Sequence, residues 1–324
     1  MNRSHKLRRA ALVSATALLV LPMAAQIATA PSQTNGSSVA NFTLAASPLS
    51  TGGPFRPPAP NCGATIYKST GAAWKCTFAD EFSGTSLDST KWVPQETAVN
   101  GYRAGDGCFV KSANNNSVLN GTLRLTVRKE AAPFTCKNPN GDFTTQYTSG
   151  GAMSYGKFAQ TYGRFEFRAK FPNVQVAGVH SSLWLYPASD TYGAWPASGE
   201  IDVAEFYSSY PDRAIPYLHY NTLQSLSGDG TSGLTNWYCT ITDPSAFHTY
   251  VGEWTSKGIK IMYDGQTCLD HVWNPAAPLI APKPFDKPFA MVLTQALGMG
   301  SNEFVEGTTP LPATTEIDWV HVWS

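Results

Sequence analysis

Charge is what this chain has least of. Only 14% of its 324 residues are Asp, Glu, Lys or Arg, and 23 acidic residues balance 23 basic ones. A nucleic-acid-binding surface needs a basic excess, so that class of partner is excluded. No Cys-x-x-Cys pair occurs, which argues against zinc ribbons. A Gly-x-Ser-x-Gly elbow and a His-Glu-x-x-His helix are both missing, and with them two common routes to hydrolysis. Sustained 3.6-residue periodicity is absent too, so helices are not expected to carry the fold. One apolar run, residues 10–25, stands out. At about 16 residues with Pro22 inside, it is short of the roughly 20 needed to span a bilayer.

That run has a better use. "MNRSHKLRR" is a basic n-region, the run is an h-region, and "ATA" (28–30) offers small residues for cleavage. Residues 1–30 therefore read as a secretory signal peptide, so the mature protein is expected to be extracellular and off the membrane. Four of the 23 basic residues lie in the first ten positions; the other 19 face 23 acids, a mildly acidic mature chain. Residues 31–60, rich in Ser, Thr, Gly, Pro and Ala, read as a disordered linker.

Six cysteines remain, all beyond the linker. In an oxidising compartment an even count suggests three disulfides. Six cysteines allow 15 connectivities; because hairpin-rich folds bring sequence neighbours together, the set favoured among them is Cys62–Cys76, Cys108–Cys136 and Cys239–Cys268.

From residue 61 the pattern has period two. "RFEFRAKF" sets Phe165, Phe167, Ala169 and Phe171 against Arg164, Glu166, Arg168 and Lys170, and "GTLRLTV" alternates in the same way. Such strands, one face apolar and one polar, build an antiparallel sandwich. One all-β domain over residues 61–324 is expected. Arg164 and Glu166 read as an outer-face ion pair. "GDGTSG" (228–233) matches a dinucleotide-binding fingerprint by letter, but "LTNWYC" after it is no helix, so it reads as a polar loop.

The acids of "WPASGEIDVAEF" are the chemical centre. Strand alternation puts Glu200 and Asp202 on one face and Glu205 on the other. One extra residue, a β-bulge at Val203–Ala204, would return Glu205 to their face. Two carboxyl groups flanking one bond, one protonated and one ionised, are what glycoside hydrolysis needs, and a third helps separate their pKa values. The same acids would also serve as a solvated strand face or as calcium ligands.

The motif Gly-Glu-Ile-Asp-x-x-Glu after "WP" resembles the signature of glycoside hydrolase family 16 in its bulged form. "FADEFSGTSLDSTKW", "VLNGTLRLTV", "YGRFEFRAKFP", "FHTYVGEW", "MYDGQ" and "TEIDWVHVW" resemble further segments of that family in its order. The resemblance implies a β-jelly roll of two curved antiparallel sheets with a concave substrate cleft. It implies a retaining endo-hydrolase of β-linked polysaccharide, with laminarin-type β-1,3-glucan favoured by the bulge; separately, a monomer is expected. Galactan, agarose or mixed-linkage glucan, transglycosylation, and a non-catalytic glycan-binding module stay as alternatives. Glu200 would be the nucleophile, Asp202 the assisting acid and Glu205 the general acid/base. Trp184, Trp195, His219, Asn221 and Gln295 would bind sugar. No cofactor is required, although Glu81, the Gly121 carbonyl and Asp318 would hold a structural calcium ion.

Overall fold

A computed structural model of the protein describes residues 59–222 and 233–324. The expected signal peptide, nearly all of the expected linker and most of "GDGTSG" lie outside the described residues. Fifteen strands are found among those described: β1 (Cys76–Asp80), β2 (Val93–Pro94), β3 (Gly107–Phe109), β4 (Asn116–Leu119), β5 (Thr122–Cys136), β6 (Phe143–Met153), β7 (Gly163–Lys170), β8 (Val179–Pro187), β9 (Glu200–Tyr207), β10 (Ile215–His219), β11 (His248–Trp254), β12 (Gly258–Tyr263), β13 (Gln266–Val272), β14 (Phe289–Leu297) and β15 (Ala313–Trp323). Helix is confined there to single turns at Thr97–Asn100 and Gly300–Asn302.

The strands run in the order β10-β9-β8-β14-β6-β5-β15-β7-β11-β12-β13, with β1, β2, β3 and β4 pairing at the sides of that path. The first five make the sheet that carries the acids. The last six make the opposing sheet, and the long β5–β6 hairpin belongs to both. All pairings except β3–β6 are antiparallel.

Period two in β7 does what the sequence demands. Phe165, Phe167 and Ala169 are wholly buried between the sheets, while Arg164, Glu166, Arg168 and Lys170 stay on the outer face. Arg164 donates to Glu166 at 2.7 Å and to Glu253 at 2.6 Å, which bears out the expected ion pair. Phe171, just past β7, stacks on Phe206 of β9 at 5.1 Å, directly behind the acids. Each such ring contributes roughly 1.5–3 kcal/mol by burial. The sheet carrying the acids is therefore fixed from behind by a rigid apolar layer.

All three expected disulfides are present: Cys62–Cys76, Cys108–Cys136 and Cys239–Cys268. They tie the segment before β1, the β3–β5 contact and the lead-in to β11 to their neighbours. No helix among the described residues is long and apolar enough to cross a membrane.

Candidate active site

The three acids stand on β9, and its register solves the misfit. Leu183 of β8 faces Ala204, but the next residue, Trp184, faces Asp202, so Val203 has no partner. The same slip appears against β10, where Ile215 faces Glu205 and Tyr217 faces Asp202. Val203 and Ala204 both turn into the core. Alternation resumes one residue late, and Glu200, Asp202 and Glu205 share the face away from the core. The chain enters β9 through Gly199, whose φ of +85° disfavours a side chain. A Cβ there would also meet the Phe285 ring at 2.8 Å.

Each acid has its own partners. The Trp195 indole N–H donates to Glu200 Oε2 at 2.6 Å. Asp202, only 2% exposed, shares a hydrogen bond with Glu200. His219 Nε2 lies 3.1 Å from Asp202 Oδ2, but off the angle of a proper hydrogen bond, so that buried oxygen is left without a hydrogen-bond partner. Glu205 Oε1 lies 3.1 Å from His180 Nε2 and accepts from the Tyr207 hydroxyl at 2.9 Å.

These surroundings separate the protons. Burial, then the Asp202 charge, pushes Glu200 well above the usual carboxylate range. Burial and Glu205 push Asp202 up in the same way. Burial would raise Glu205 too, but the bonds from His180 and Tyr207 and the nearness of His219 take it below its ordinary value. Proton affinity is thus raised at Glu200 and Asp202 and lowered at Glu205.

Of the expected sugar-binding residues, four lie on the cleft face and one does not. Trp184 is opposite Asp202, but it is floor rather than open platform. It is 8% exposed, donates its N–H to Thr294 at 3.0 Å and has Tyr102 5.9 Å from its ring. Trp195 and His219 are half-buried, 5.4 Å apart. Asn221 is exposed and borders, with them and Tyr217, an open hollow of about 510 Å³. Gln295 is a correction. It is fully buried between the sheets, where its Oε1 accepts from Ser181 and Thr315, both at 2.7 Å. Alternation along β14 turns Thr294, not Gln295, to the cleft.

The expected calcium residues meet only in part. β5 and β1 abut one edge of β15 end to end, pairing Leu123 with Ile317 and Asp80 with Val320. That brings the backbones of Glu81, Gly121 and Asp318 to one gap. The carboxylates turn elsewhere: Asp318 is ion-paired with Arg168, and Glu81 is bonded to His321 at 2.5 Å. Asp318 and Glu81 are therefore held by different partners, and no chemistry in this site passes through a metal.

Sequence reading missed His180, Tyr207 and Tyr102. The first two had a signal. His180 is in step with Trp184 along β8, and Tyr207 lies two residues past Glu205 on its face. Tyr102 had none, because the segment before β3 that brings it to the row has no periodicity.

Comparison with known proteins agrees with this geometry. A family model described as "Beta-porphyranase A-D, GH16 domain" matches residues 74–324. The chain belongs to glycoside hydrolase family 16. It is similar to glucan endo-1,3-beta-glucosidase A1 of Niallia circulans, 31% identical over 260 residues, which cover 75% of this chain and 37% of that one. A beta-glucanase of Rhodothermus marinus is 29% identical over 264 residues, covering 77% and 85%. The chain thus spans little more than a third of the first relative and most of the second. Among solved structures, the catalytic domain of an endo-1,3-beta-glucanase (laminarinase) from Thermotoga petrophila RKU-1 aligns with a TM-score of 0.64 at 26% identity. That alignment covers 78% of this chain and 98% of the other. The family's jelly roll is the sandwich described above.

Proposed function

We propose that this family 16 protein is a retaining endo-hydrolase of a neutral β-linked glucan, with laminarin-type β-1,3-glucan as its substrate. The observation that carries the reading is the row of Glu200, Asp202 and Glu205 on one face, made possible by the unpaired Val203. Relatives named for β-1,3-glucan hydrolysis support the linkage.

Charge supports the neutral substrate. The charged groups that bear on Glu200 are Asp202, His219 and Glu205, and those on Glu205 are His180 and His219. Asp190 adds a further negative charge to the tyrosines nearby. No Arg or Lys is among these groups, so the row offers no fixed cation to pair with an anionic sugar.

The chemistry follows from proton counting. A retaining site needs an ionised nucleophile and a protonated acid on opposite sides of the bond. Two protons over three acids serve both the free and the working state. Before sugar binds, Glu205 holds a charge more readily than Glu200; the working state needs the charge on Glu200. Sugar bound against Glu205 desolvates it further and favours its protonation, while Asp202 keeps its proton and hydrogen-bonds to the ionised Glu200. Glu200 then attacks the anomeric carbon as Glu205 protonates the leaving oxygen. Water, deprotonated by Glu205, releases the sugar with its β-configuration kept.

Secretion belongs to the same reading: three disulfides suit an oxidising compartment, and the first 30 residues suit export. The reading is tested by incubating the protein with laminarin, lichenan, agarose, xyloglucan and an anionic galactan. Reducing ends should rise on laminarin, and proton NMR should show the β-anomer first. Release on the anionic galactan alone, or α-anomer first, would overturn it.

A further inference from the structure

Two residues beside the row are not acids, yet they are the most specifically arranged groups in the cleft. His180 of β8 and Tyr207 of β9 are cross-strand partners. Their rings stack at 4.6 Å and 12°. From that stack both polar ends reach the same atom, Oε1 of Glu205: the imidazole Nε2 at 3.1 Å and the Tyr207 hydroxyl at 2.9 Å. A carboxyl oxygen has two lone-pair sites, so these bonds fill Oε1.

We propose that His180, with Tyr207, is a positioning residue that confines the catalytic proton of Glu205 to Oε2. The inference rests on Glu205 being the acid/base, as read above. A glutamate carboxyl can turn about its last torsion, which is broad and nearly two-fold, and so present either oxygen to the substrate. Two donors on Oε1 remove that freedom. In the first step the Oε2 proton passes to the glycosidic oxygen as its bond to the anomeric carbon breaks and the Glu200 ester bond forms. In the second, water attacks the anomeric carbon, its proton goes to Oε2, and the ester bond breaks. Oε1 keeps both bonds throughout, and the proton cycles on one atom.

Packing alone would be met by two apolar rings. Here the ring stack holds two donors at one height, and the donors explain why Glu205 lies below its ordinary value despite burial. Glu200 and Asp202 on the same strand, Tyr217 and His219 from β10, Tyr263 of β12 and Tyr102 bear on the same group. With His180 and Tyr207 these are eight, and those two alone hydrogen-bond to Glu205.

The test uses His180→Phe, which keeps a ring on Tyr207 but loses the donor, and His180→Gln, which restores an N–H. Each is compared with wild type by kcat/KM on laminarin and on a 2,4-dinitrophenyl β-laminaribioside, whose leaving group needs little protonation. His180→Phe should lose about 10- to 100-fold on laminarin, the worth of a hydrogen bond to a charged group. On the aryl glycoside it should lose less than about threefold. Its basic limb on laminarin should move to higher pH, and His180→Gln should recover part of the rate. Equal losses on both substrates with an unmoved basic limb would reduce His180 to packing and overturn the inference. If His180→Phe does not fold, Tyr207→Phe, which removes one oxygen only, carries the same comparison with the same two outcomes. Wild-type protein inactive on both substrates would overturn the functional reading, and this inference with it.

Discussion

Trp195 holds Glu200 by one oxygen: its indole N–H meets Oε2 at 2.6 Å, from a loop five residues upstream. The bond fixes the carboxyl plane and leaves the other oxygen for attack. Trp195→Phe keeps an aromatic ring and removes the donor. A hydrogen bond to a charged group is worth about 1.5–3 kcal/mol, so kcat on laminarin should fall about 10- to 100-fold. If Trp195 serves only as a sugar platform, Phe will instead raise KM with little change in kcat, and steady-state kinetics separate the two.

The unpaired Val203 gives the second prediction. Inserting one alanine after Ala204 exceeds the single residue that the bulge absorbs, and every side chain beyond it changes face. Glu205 and Tyr207 would turn into the core, where Ala204 and Phe206 now pack. The variant should be unstable or folded and inactive; circular dichroism and reducing-end assays distinguish these. Wild-type activity would mean that the bulge does not place Glu205.

How much of this was legible in the sequence depends on whether one strand carried the information. Phe165, Phe167 and Ala169 declared their face because the outer sheet's exposed side is polar. The bulge declared itself because three acids in a row of apolar residues had one out of step. Gln295 was misread because β14 is buried on both faces, so its period carries no polarity signal. A polar residue there looks functional by letter, although it satisfies Ser181 and Thr315 in the core. The calcium residues show the other limit. Register brings three backbones together, but only side-chain partners such as Arg168 and His321 decide what a carboxylate does.

Gln295 gives a prediction of its own. Gln295→Met keeps the volume and leaves two buried hydroxyls unpaired, which costs about 1–3 kcal/mol of stability. Activity per folded molecule should stay within about twofold, since the side chain is behind the cleft. Denaturant unfolding and kcat/KM check both halves; a large loss of kcat/KM in folded protein would return Gln295 to the substrate side.

Gly199 sits at φ +85° with Phe285 2.8 Å from where a Cβ would be. Gly199→Ala should cost about 1–3 kcal/mol by strain, with a further cost from overpacking, and should displace Glu200. A lower melting temperature together with a lower kcat is expected. A variant as stable and as active as wild type would mean that the turn is relaxed.

The raised Glu200 sets a pH dependence of stability. Its folded pKa lies above the ordinary 4.5, so between the two values the unfolded chain has lost a proton that the folded one keeps. Its contribution is present below 4.5 and fades as pH rises towards the folded value. Glu200→Gln removes that loss. It should melt a few degrees higher than wild type near pH 7, as about 1 kcal/mol gives in a domain of this size, with the gain shrinking towards about pH 4. Calorimetry at both pH values tests the sign; a gain that grows on acidification would contradict it.

The central claim is that Glu200, held by Trp195 and set in line with Glu205 by an unpaired Val203, forms a bond to sugar. The direct measurement is to incubate the protein with a 2-deoxy-2-fluoro β-laminaribiosyl fluoride, digest it, and locate the added mass by peptide sequencing. The fluorine slows release of the sugar, so the covalent form accumulates. The account predicts one adduct, on Glu200. An adduct on Glu205, or steady turnover with no covalent form at any time, would contradict it.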